Sequence, residues 1–515
     1  MELEMERERT KPVAVFMAFG TKGDVYPIAA IAAGFASDQK QYNVIIISHS
    51  AHENLSSHLA EKHVAYFPIS SPPVLSTDQI QEAAGSMHMS FSLQKRMLTR
   101  DRRQECYSVV EKIFGYGPSM EGDFIAINFF ALEGWSLAEL FRVCCIVAAP
   151  YLVPYSAPSS FEHQFKKELP LLYKYLQESP TKKVCWKDVI HWMWPLFTEY
   201  WESWRSDDLK LSPCPFTDPV TGLPLWHDIP SSPLLLYGFS KEVVECPDYW
   251  PSSTRVCGFW FLPIEWQYSC TKCREISTSV SLGHLNKKNE LCSVHIQLQY
   301  FLETHMSIPP IFIGLSSVGS LGFFKDPLAF LHVLRTVLEV TSHRFILFTA
   351  GYEPLDVAIK NISAEASPQV TLRHLSEDCH SLFNDRLFCF SGTISYNWLF
   401  TRCAAAVHHG GSGTTAAALH AGIPQIVCPF MLDQFYWAER MFWLGVAPEP
   451  LKRNHLFPES NVERSVQEAA NVLSRAIHDA LSPYVKERAR EISQRLSLED
   501  GVSEAIKCIK EELNC

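Results

Sequence analysis

The chain predicts an α/β protein built on parallel sheets, on three observations. First, Ala404–Val407 and Gln425–Phe430 are short apolar runs. Between them lies a glycine turn, Gly410-Gly411-Ser412-Gly413-Thr414-Thr415, that runs into the helix-forming Ala416–His420. Strand, turn, helix and strand in that order form the building block of a parallel sheet. Second, the chain opens in the same way. Val13–Phe19 reads as a strand and Gly20–Pro27 as a turn with two glycines. A helix carrying Ile28, Ile31, Ala32 and Phe35 follows, and Tyr42–Ser48 is the next strand. Pro27 suits the first turn of that helix. Third, 515 residues are enough for two domains with substantial cores.

Composition narrows the class. Apolar residues make up 47% and charged residues 20%, as in ordinary globular proteins. The net charge of −11 argues against a general affinity for nucleic acid. No uninterrupted apolar run reaches the roughly 18 residues of a spanning helix. The charged start, Met1–Lys11, lacks the apolar region of a signal peptide. The 16 cysteines are scattered and read as reduced thiols, so a cytoplasmic protein is expected.

Further elements follow in order. Asp123–Ala131 and Cys144–Ala149 read as strands, the second trailed by Pro150, Pro154 and Pro158. Phe161–Pro213 is mostly helical in pattern and rich in aromatics, a stripe that suits a core and would also suit an apolar ligand wall. Leu234–Tyr237 and Thr254–Gly258 read as strands. Residues from Pro263 to about Val294 are poorly periodic and read as linker and insertion. Cys270-x-x-Cys273 and Cys292-x-x-His295 in that stretch have the spacing of four zinc ligands. The surroundings resemble no zinc module, so free thiols in an irregular loop are expected and no metal is assigned. Leu298–Leu302 reads as a short helix, Pro310–Leu315 as a strand, Phe330–Val340 as a helix and Arg344–Thr349 as a strand. Asp385–Ser391 and Ile394–Trp398 lead to the central unit. Two helices close the chain: Val485, Ala489, Ile492 and Leu496 share one face, as do Val502, Ala505, Ile506, Ile509 and Leu513, and Gly501 separates them.

The glycine turn after Ala404–Val407 opens a helix, so backbone N–H groups and the positive end of the helix dipole are presented there, a site for phosphate. His408 and His409 stand just before it and offer side-chain donors. Asp433 and Gln434, after the second strand, suit hydroxyl groups. A phosphorylated, hydroxyl-rich ligand such as a sugar nucleotide fits. A dinucleotide also fits Gly411-x-Gly413-x-x-Ala416, with Asp433 as the ribose acid. Near the N-terminus, Asp24 falls at the strand end where ligands bind in open α/β sheets. It reads equally as a helix cap and as a catalytic base, and the two roles are compatible.

The stretch from His408 to Trp437 resembles the donor-binding signature of the sterol glucosyltransferase-like UDP-glycosyltransferases. Gly20-Thr21-Lys22-Gly23-Asp24-Val25-Tyr26-Pro27 and Gly258-Phe259-Trp260-Phe261-Leu262 are similar to two further motifs of that family. The resemblance implies the GT-B arrangement of two facing Rossmann-like domains. Residues 1–265 would bind the acceptor, 266–300 would be a linker or insertion, and 301–480 would bind the UDP-sugar. Residues 481–515 would cross back to the first domain. It implies Asp24 as base. It implies Ser317, Trp398, His409, Gly411, Gly413, Thr414, Asp433 and Gln434 around the donor, and Phe129, Phe130, Trp135 and Tyr155 at the acceptor. Ser316, where the family commonly has glycine, departs from the pattern, as do Lys22 and Thr401. The implied reaction is an inverting transfer of a hexose, expected to be glucose, to a lipophilic hydroxyl such as a sterol's. No Asp-x-Asp triplet is present to bridge a metal to the donor, so no cofactor is expected. A membrane-dissolved acceptor implies peripheral membrane contact. A nicotinamide oxidoreductase and a non-catalytic lipid- or sugar-nucleotide-binding protein remain the competing classes.

Overall fold

Buried apolar runs assemble two sheets, one in each of two compact units. The first unit holds the chain through Leu262 together with Glu499–Cys515, and the second holds Pro263–Leu498. This computed structural model describes residues 9–73, 91–115, 119–151, 203–211, 233–244, 246, 253–268, 270–281, 283, 291–303, 309–315, 318–319, 323–324, 326–349, 351–365, 379–392, 394–430, 433–458 and 461–514. Tyr155, Ser316, Ser317 and nearly all of the aromatic stretch after Phe161 lie outside the described residues.

In the first unit, β1 (Val13–Met17), β2 (Asn43–His49), β3 (Val64–Ile69), β4 (Phe124–Ile127), β5 (Cys144–Ala149), β6 (Leu234–Tyr237) and β7 (Thr254–Val256) lie in the order β3-β2-β1-β4-β5-β6-β7. All pairs are parallel. The chain winds outward from β1 through β2 to β3 and then returns to β4 on the other side of β1. The loops after β1 and β4 therefore diverge at the C-terminal edge, where open α/β sheets bind ligands. The strand expected over Asp123–Ala131 stops at Ile127, because Asn128 turns its side chain back onto the loop after β1. Helices α1 (Lys22–Asp38), α2 (Ser56–Glu61), α3 (Phe91–Phe114) and α4 (Glu133–Phe141) flank this sheet. Phe16, Phe35 and Phe124 meet at centroid distances of 5.4–6.0 Å. Tilted and edge-on pairs of this kind each contribute about 0.5–1.5 kcal/mol beyond their area burial. They fix α1 over β1 and β4, so the start of α1 stands at the strand ends. Helix α1 begins at Lys22, so Pro27 lies inside it and not in its first turn. Thr21 and Asp24 start the helix earlier than the proline alone suggested.

The second unit contains β8 (Ile311–Gly314), β9 (Phe345–Phe348), β10 (Cys379–Leu382), β11 (Leu387–Phe390), β12 (Ala405–His408) and β13 (Gln425–Val427). Their order is β10-β11-β9-β8-β12-β13. Only the β10–β11 pair is antiparallel. The winding direction reverses between β8 and β12. Its helices are α5 (Thr271–Ser281), α6 (Ile296–Glu303), α7 (Pro327–Val340), α8 (Glu353–Glu365), α9 (Tyr396–Phe400), α10 (Ser412–Ala421), α11 (Gln434–Trp443), α12 (Glu463–Ala480) and α13 (Pro483–Leu496). One face of the sheet packs on α7 and α12 through Phe330, Leu334, Val337, Leu473 and Ile477, all fully buried. Each such side chain stabilises the fold by about 1.5–3 kcal/mol relative to exposure. The other face packs on α6, α9 and α10 through Leu298, Phe301, Leu399, Phe400 and Ala418. The stretch from Pro263 to Val294, read as irregular, carries α5 and places Tyr268, Cys273, Leu291 and Cys292 in this second core.

The last helix, α14 (Gly501–Leu513), packs in the first unit. Trp260 Nε1 donates to the Gly501 carbonyl at 3.0 Å, and a Cβ on Gly34 of α1 would meet Ile506 at 2.8 Å. No helix among the described residues is long and apolar enough to cross a membrane.

Candidate functional site

In the first unit the loop between β1 and α1 lies at the point where the strand order reverses. Thr21 is the N-cap of α1, and Asp24 stands three residues into the helix. The Thr21 backbone N–H donates to Asp24 Oδ2 at 2.7 Å, and Thr21 Oγ1 donates to the same oxygen at 2.8 Å. Asp24 is therefore the reciprocal partner of a capped helix start and not the N-cap itself. Gly20 makes this possible. Its φ of +105° favours glycine, and a Cβ there would lie 2.5 Å from Asp24 Oδ2. Asp24 keeps some solvent exposure but is closely surrounded by protein. Loss of hydration pushes its carboxyl up to about 6, against the lowering effect of the two Thr21 bonds. It is a carboxylate at neutral pH with raised basicity.

Three side chains hold this turn. The Gly20 N–H donates to His49 Nε2 at 3.1 Å, while His49 Nδ1 donates to the Ser71 carbonyl at 2.6 Å. Those partners fix one neutral tautomer, and burial lowers the His49 pKa to about 4. His52 Nε2 donates to the Gly20 carbonyl at 2.9 Å. Asn128, following β4, donates to the carbonyls of Phe19 at 2.7 Å and of Asp24 at 3.2 Å, and accepts from the Phe19 N–H at 3.2 Å. Asn128 thus ties the start of the Phe129–Phe130 segment to the loop bearing Asp24. Phe129 is buried, and its N–H donates to the Tyr151 hydroxyl at 3.2 Å. Phe130 is half-buried, 5.5 Å from the Tyr151 ring. Trp135 is half-buried in the first turn of α4. Three of the four expected acceptor residues therefore share this sheet edge, and Tyr155 lies outside the described residues.

In the second unit the loop between β12 and α10 occupies the equivalent position, beside the end of β8. Gly410, at φ +85°, leaves no room for a side chain: a Cβ would lie 2.9 Å from Val427 and 3.0 Å from the Gln434 carbonyl. Gly411 is the N-cap of α10 and supplies no side-chain cap. The first helical backbone bond runs from the Thr415 N–H to the Gly411 carbonyl. The N–H groups of Ser412, Gly413 and Thr414 form the leading turn, where a helix carries its partial positive charge. His409 is half-buried beside Gly314 of β8. Burial lowers its pKa to about 4, with a hydrogen bond to the Gly314 backbone acting in the opposite direction. It is a neutral imidazole in an anion-favouring position.

His408 departs from expectation. It was read as a second donor toward a ligand, but it is fully buried and both ring nitrogens are used. Nε2 donates to Gln425 Oε1 at 2.9 Å, and Nδ1 accepts from the Gly410 N–H at 3.0 Å. Burial lowers its pKa to about 3. Its task is to hold the glycine turn against β13. Asp433 stands at the N-cap position of α11 without a side-chain cap bond, and its Oδ2 accepts from Trp437 Nε1 at 2.9 Å. Gln434 is buried, with Oε1 accepting from the Phe430 N–H at 2.9 Å. Trp398 sits in α9, packed beside α10, 8% exposed and with the Arg402 guanidinium 4.3 Å over its ring. The supporting residues His49, His52, Asn128 and Gln425 were not legible as site residues. His49, His52 and Asn128 act on backbone groups far away in sequence, and Gln425 acts on the His408 ring seventeen positions back.

Two parallel-sheet units with ligand-type loops at both reversal points define the GT-B fold of glycosyltransferases. Solved structures agree. The chain matches the calicheamicin glycosyltransferase at TM-score 0.55 and 14% identity, covering 98% of this chain and 99% of that one. It matches a UDP-glucosyltransferase from Polygonum tinctorium, capable of glucosylating indoxyl, at TM-score 0.56 and 11% identity, covering 99% of each. Residues 388–479 match the family described as erythromycin biosynthesis protein CIII-like, C-terminal domain.

Over nearly its whole length the chain is similar to proteins named sterol 3-beta-glucosyltransferases. It is 25% identical over 505 residues to one from Arabidopsis thaliana, covering 96% of this chain and 67% of that protein. It is 24% identical over 515 residues to one from Candida albicans, covering 98% of this chain and 28% of that protein. The chain thus spans about two thirds of the plant relative and little more than a quarter of the fungal one.

Proposed function

We propose that the chain transfers a hexose from UDP-hexose to the hydroxyl of a lipophilic acceptor of the sterol class. The observation that carries this reading is the start of α10: a glycine N-cap without a side chain, at the sheet's reversal point, with His409 beside it. The diphosphate binds there, on the N–H groups of Gly413 and Thr414 and on His409, whose imidazole donates a charge-assisted bond. Asp433 holds sugar hydroxyls. Asp24 takes the proton of the acceptor hydroxyl as that oxygen bonds to the anomeric carbon. The bond from that carbon to the diphosphate breaks, and UDP leaves with the electron pair. Attack from the face opposite the leaving group inverts the anomeric centre. A hydrogen bond from the neutral His409 and the helix dipole stabilise the departing charge, so the step as drawn needs no metal. The half-buried Phe130 and Trp135 supply apolar surface near Asp24 for a sterol-like body.

The names of the curated relatives support glucose as the sugar and a sterol as the acceptor. The relatives and structures named above are glycosyltransferases, which gives the oxidoreductase reading no support. A sterol acceptor implies a peripheral encounter with a membrane from the cytoplasmic side. Incubating the full chain with labelled UDP-glucose and a mixed lipid extract tests the proposal. A labelled, chromatographically distinct glycolipid supports it. Tight UDP binding without any labelled product would leave a sugar-nucleotide-binding protein that is not an enzyme.

A further inference from the structure

The stretch between Pro263 and α6 contains a cluster that glycosyl transfer does not use. Cys270 precedes α5 and Cys273 lies in its first turn, with the Arg274 N–H donating to the Cys270 carbonyl at 3.0 Å. Cys292 and His295 form a second turn just before α6, closed by the His295 N–H donating to the Cys292 carbonyl at 2.9 Å. The fold brings these two turns together. Cys270 Sγ lies 3.7 Å from Cys292 Sγ. His295 Nδ1 lies 3.2 Å from Cys273 Sγ and 3.5 Å from Cys292 Sγ. All four potential ligand atoms fall within 4.8 Å of one another.

The three separations of 3.7, 3.2 and 3.5 Å are close to the edges of a tetrahedron around one ion. With Zn–S bonds of about 2.3 Å and Zn–N of about 2.05 Å, tetrahedral angles put sulfurs roughly 3.8 Å apart and sulfur and nitrogen roughly 3.5 Å apart. We propose that Cys270, Cys273, Cys292 and His295 bind a structural zinc ion that staples α5 and α6 to the second sheet. Four protein ligands close the coordination sphere, which is the pattern of structural and not catalytic zinc. Three thiolates and an imidazole select a soft or borderline ion over magnesium or calcium. Cys273, Cys292 and His295 are buried, and the Cys292 N–H points at Cys273 Sγ, 3.4 Å away, the kind of outer bond that orients a thiolate ligand. The His295 ring stands edge-on to Phe390 of β11 at 5.4 Å, so the site is anchored directly on the sheet. The spacing alone was ambiguous; the convergence of both turns on one point is not.

Metal analysis of the full chain, expressed without a polyhistidine tag and purified without chelators, tests this. About one zinc per chain is expected. Cys273→Ser and His295→Ala should lose it, whereas His295→Cys should retain it, because four thiolates also bind zinc. Cys144→Ser, a half-buried thiol of the other unit, should leave zinc content unchanged. Should the ligand variants fail to fold, the wild-type chain provides a second test. Stripped under reducing conditions and loaded with cobalt, it should show tetrahedral d–d absorption and thiolate-to-cobalt charge transfer. A wild-type chain that purifies without zinc and gives no such cobalt spectrum overturns the proposal. So does a Cys270–Cys292 disulfide recovered by non-reducing peptide mapping.

Discussion

The starts of α1 and α10 are built alike and finished differently. Each follows a buried parallel strand at the point where its sheet reverses direction. Each turn rests on a glycine at positive φ, Gly20 or Gly410, whose N–H is held by a neutral histidine, His49 or His408. The first helix then carries its own acid: Thr21 at the N-cap and Asp24 at the third position, closed on each other. The second carries Gly411 at the N-cap and Thr414 at the third position, with no side-chain cap. A helix start that holds a carboxylate has satisfied its positive end and offers a base. One that holds no acid favours an anion from outside. Under the proposed function, one local architecture serves acceptor activation in the first unit and donor binding in the second.

The largest effect expected on the first half of this comparison is that of Asp24→Asn. Asparagine keeps an oxygen for the Thr21 N–H but cannot take a proton, so transfer should fall on the order of 10²–10⁴-fold while UDP affinity persists. Near-normal transfer would reduce Asp24 to a helix-start residue. The pH dependence sharpens the point. The folded-state pKa, about 6, is raised above the ordinary 3.8, so kcat/KM should fall as pH drops through 6. The stability sign is opposite: the folded state prefers the protonated acid, and that preference is lost as pH rises from about 4 through 6. Asp24→Asn should therefore fold at least as stably as wild type at neutral pH.

His409→Ala should weaken UDP binding by about 1.5–3 kcal/mol, the range for a hydrogen bond to a charged group, with little change in melting temperature. Titration calorimetry with UDP measures it, and unchanged affinity would remove His409 from the donor site. His408→Ala should do the converse, losing stability by about 1–3 kcal/mol for each buried partner left unsatisfied at Gln425 and Gly410. His408 also sets an acid limit. Its folded pKa, about 3, is depressed, so its contribution is complete above the unfolded value of 6.5 and is lost as pH falls below it. Urea unfolding at pH 7 and pH 5 should show the wild type losing more stability than His408→Ala. Asp433→Ala should have the smallest effect on binding: UDP affinity nearly intact, with reduced discrimination among UDP-hexoses in competition assays.

Both glycine turns were legible in the sequence because a turn must declare itself locally, in glycines between an apolar run and a helix former. So were the parallel strands flanking them. The histidines were not. His408 and His409 are neighbours in sequence, yet one points into the core toward Gln425, a partner seventeen positions away that no local pattern reveals. Strand β10, Cys-His-Ser-Leu, has too little apolar content to stand out, and it forms because β11 offers an antiparallel edge. Helix α5 is polar on most positions, so its 3.6 period was weak, and tertiary burial of Cys273 beside Leu291 and Leu298 decides it. Pro27 misled by composition: the reciprocal bonds of Thr21 and Asp24 outweigh the preference of proline for a first turn.

Thr414→Asp tests the comparison most directly, because it places in α10 the acid that α1 carries at the same helical position. Thr414 is half-buried at the helix start, where a carboxylate interacts favourably with the dipole by about 0.3–1 kcal/mol. Thermal unfolding and UDP titration of the full chain, wild type beside variant, give both readings. The expected result is an unchanged or slightly higher melting temperature with UDP affinity reduced at least about tenfold, or 1.4 kcal/mol. A variant that folds equally well and binds UDP as tightly as wild type would contradict the assignment of this helix start to the donor diphosphate.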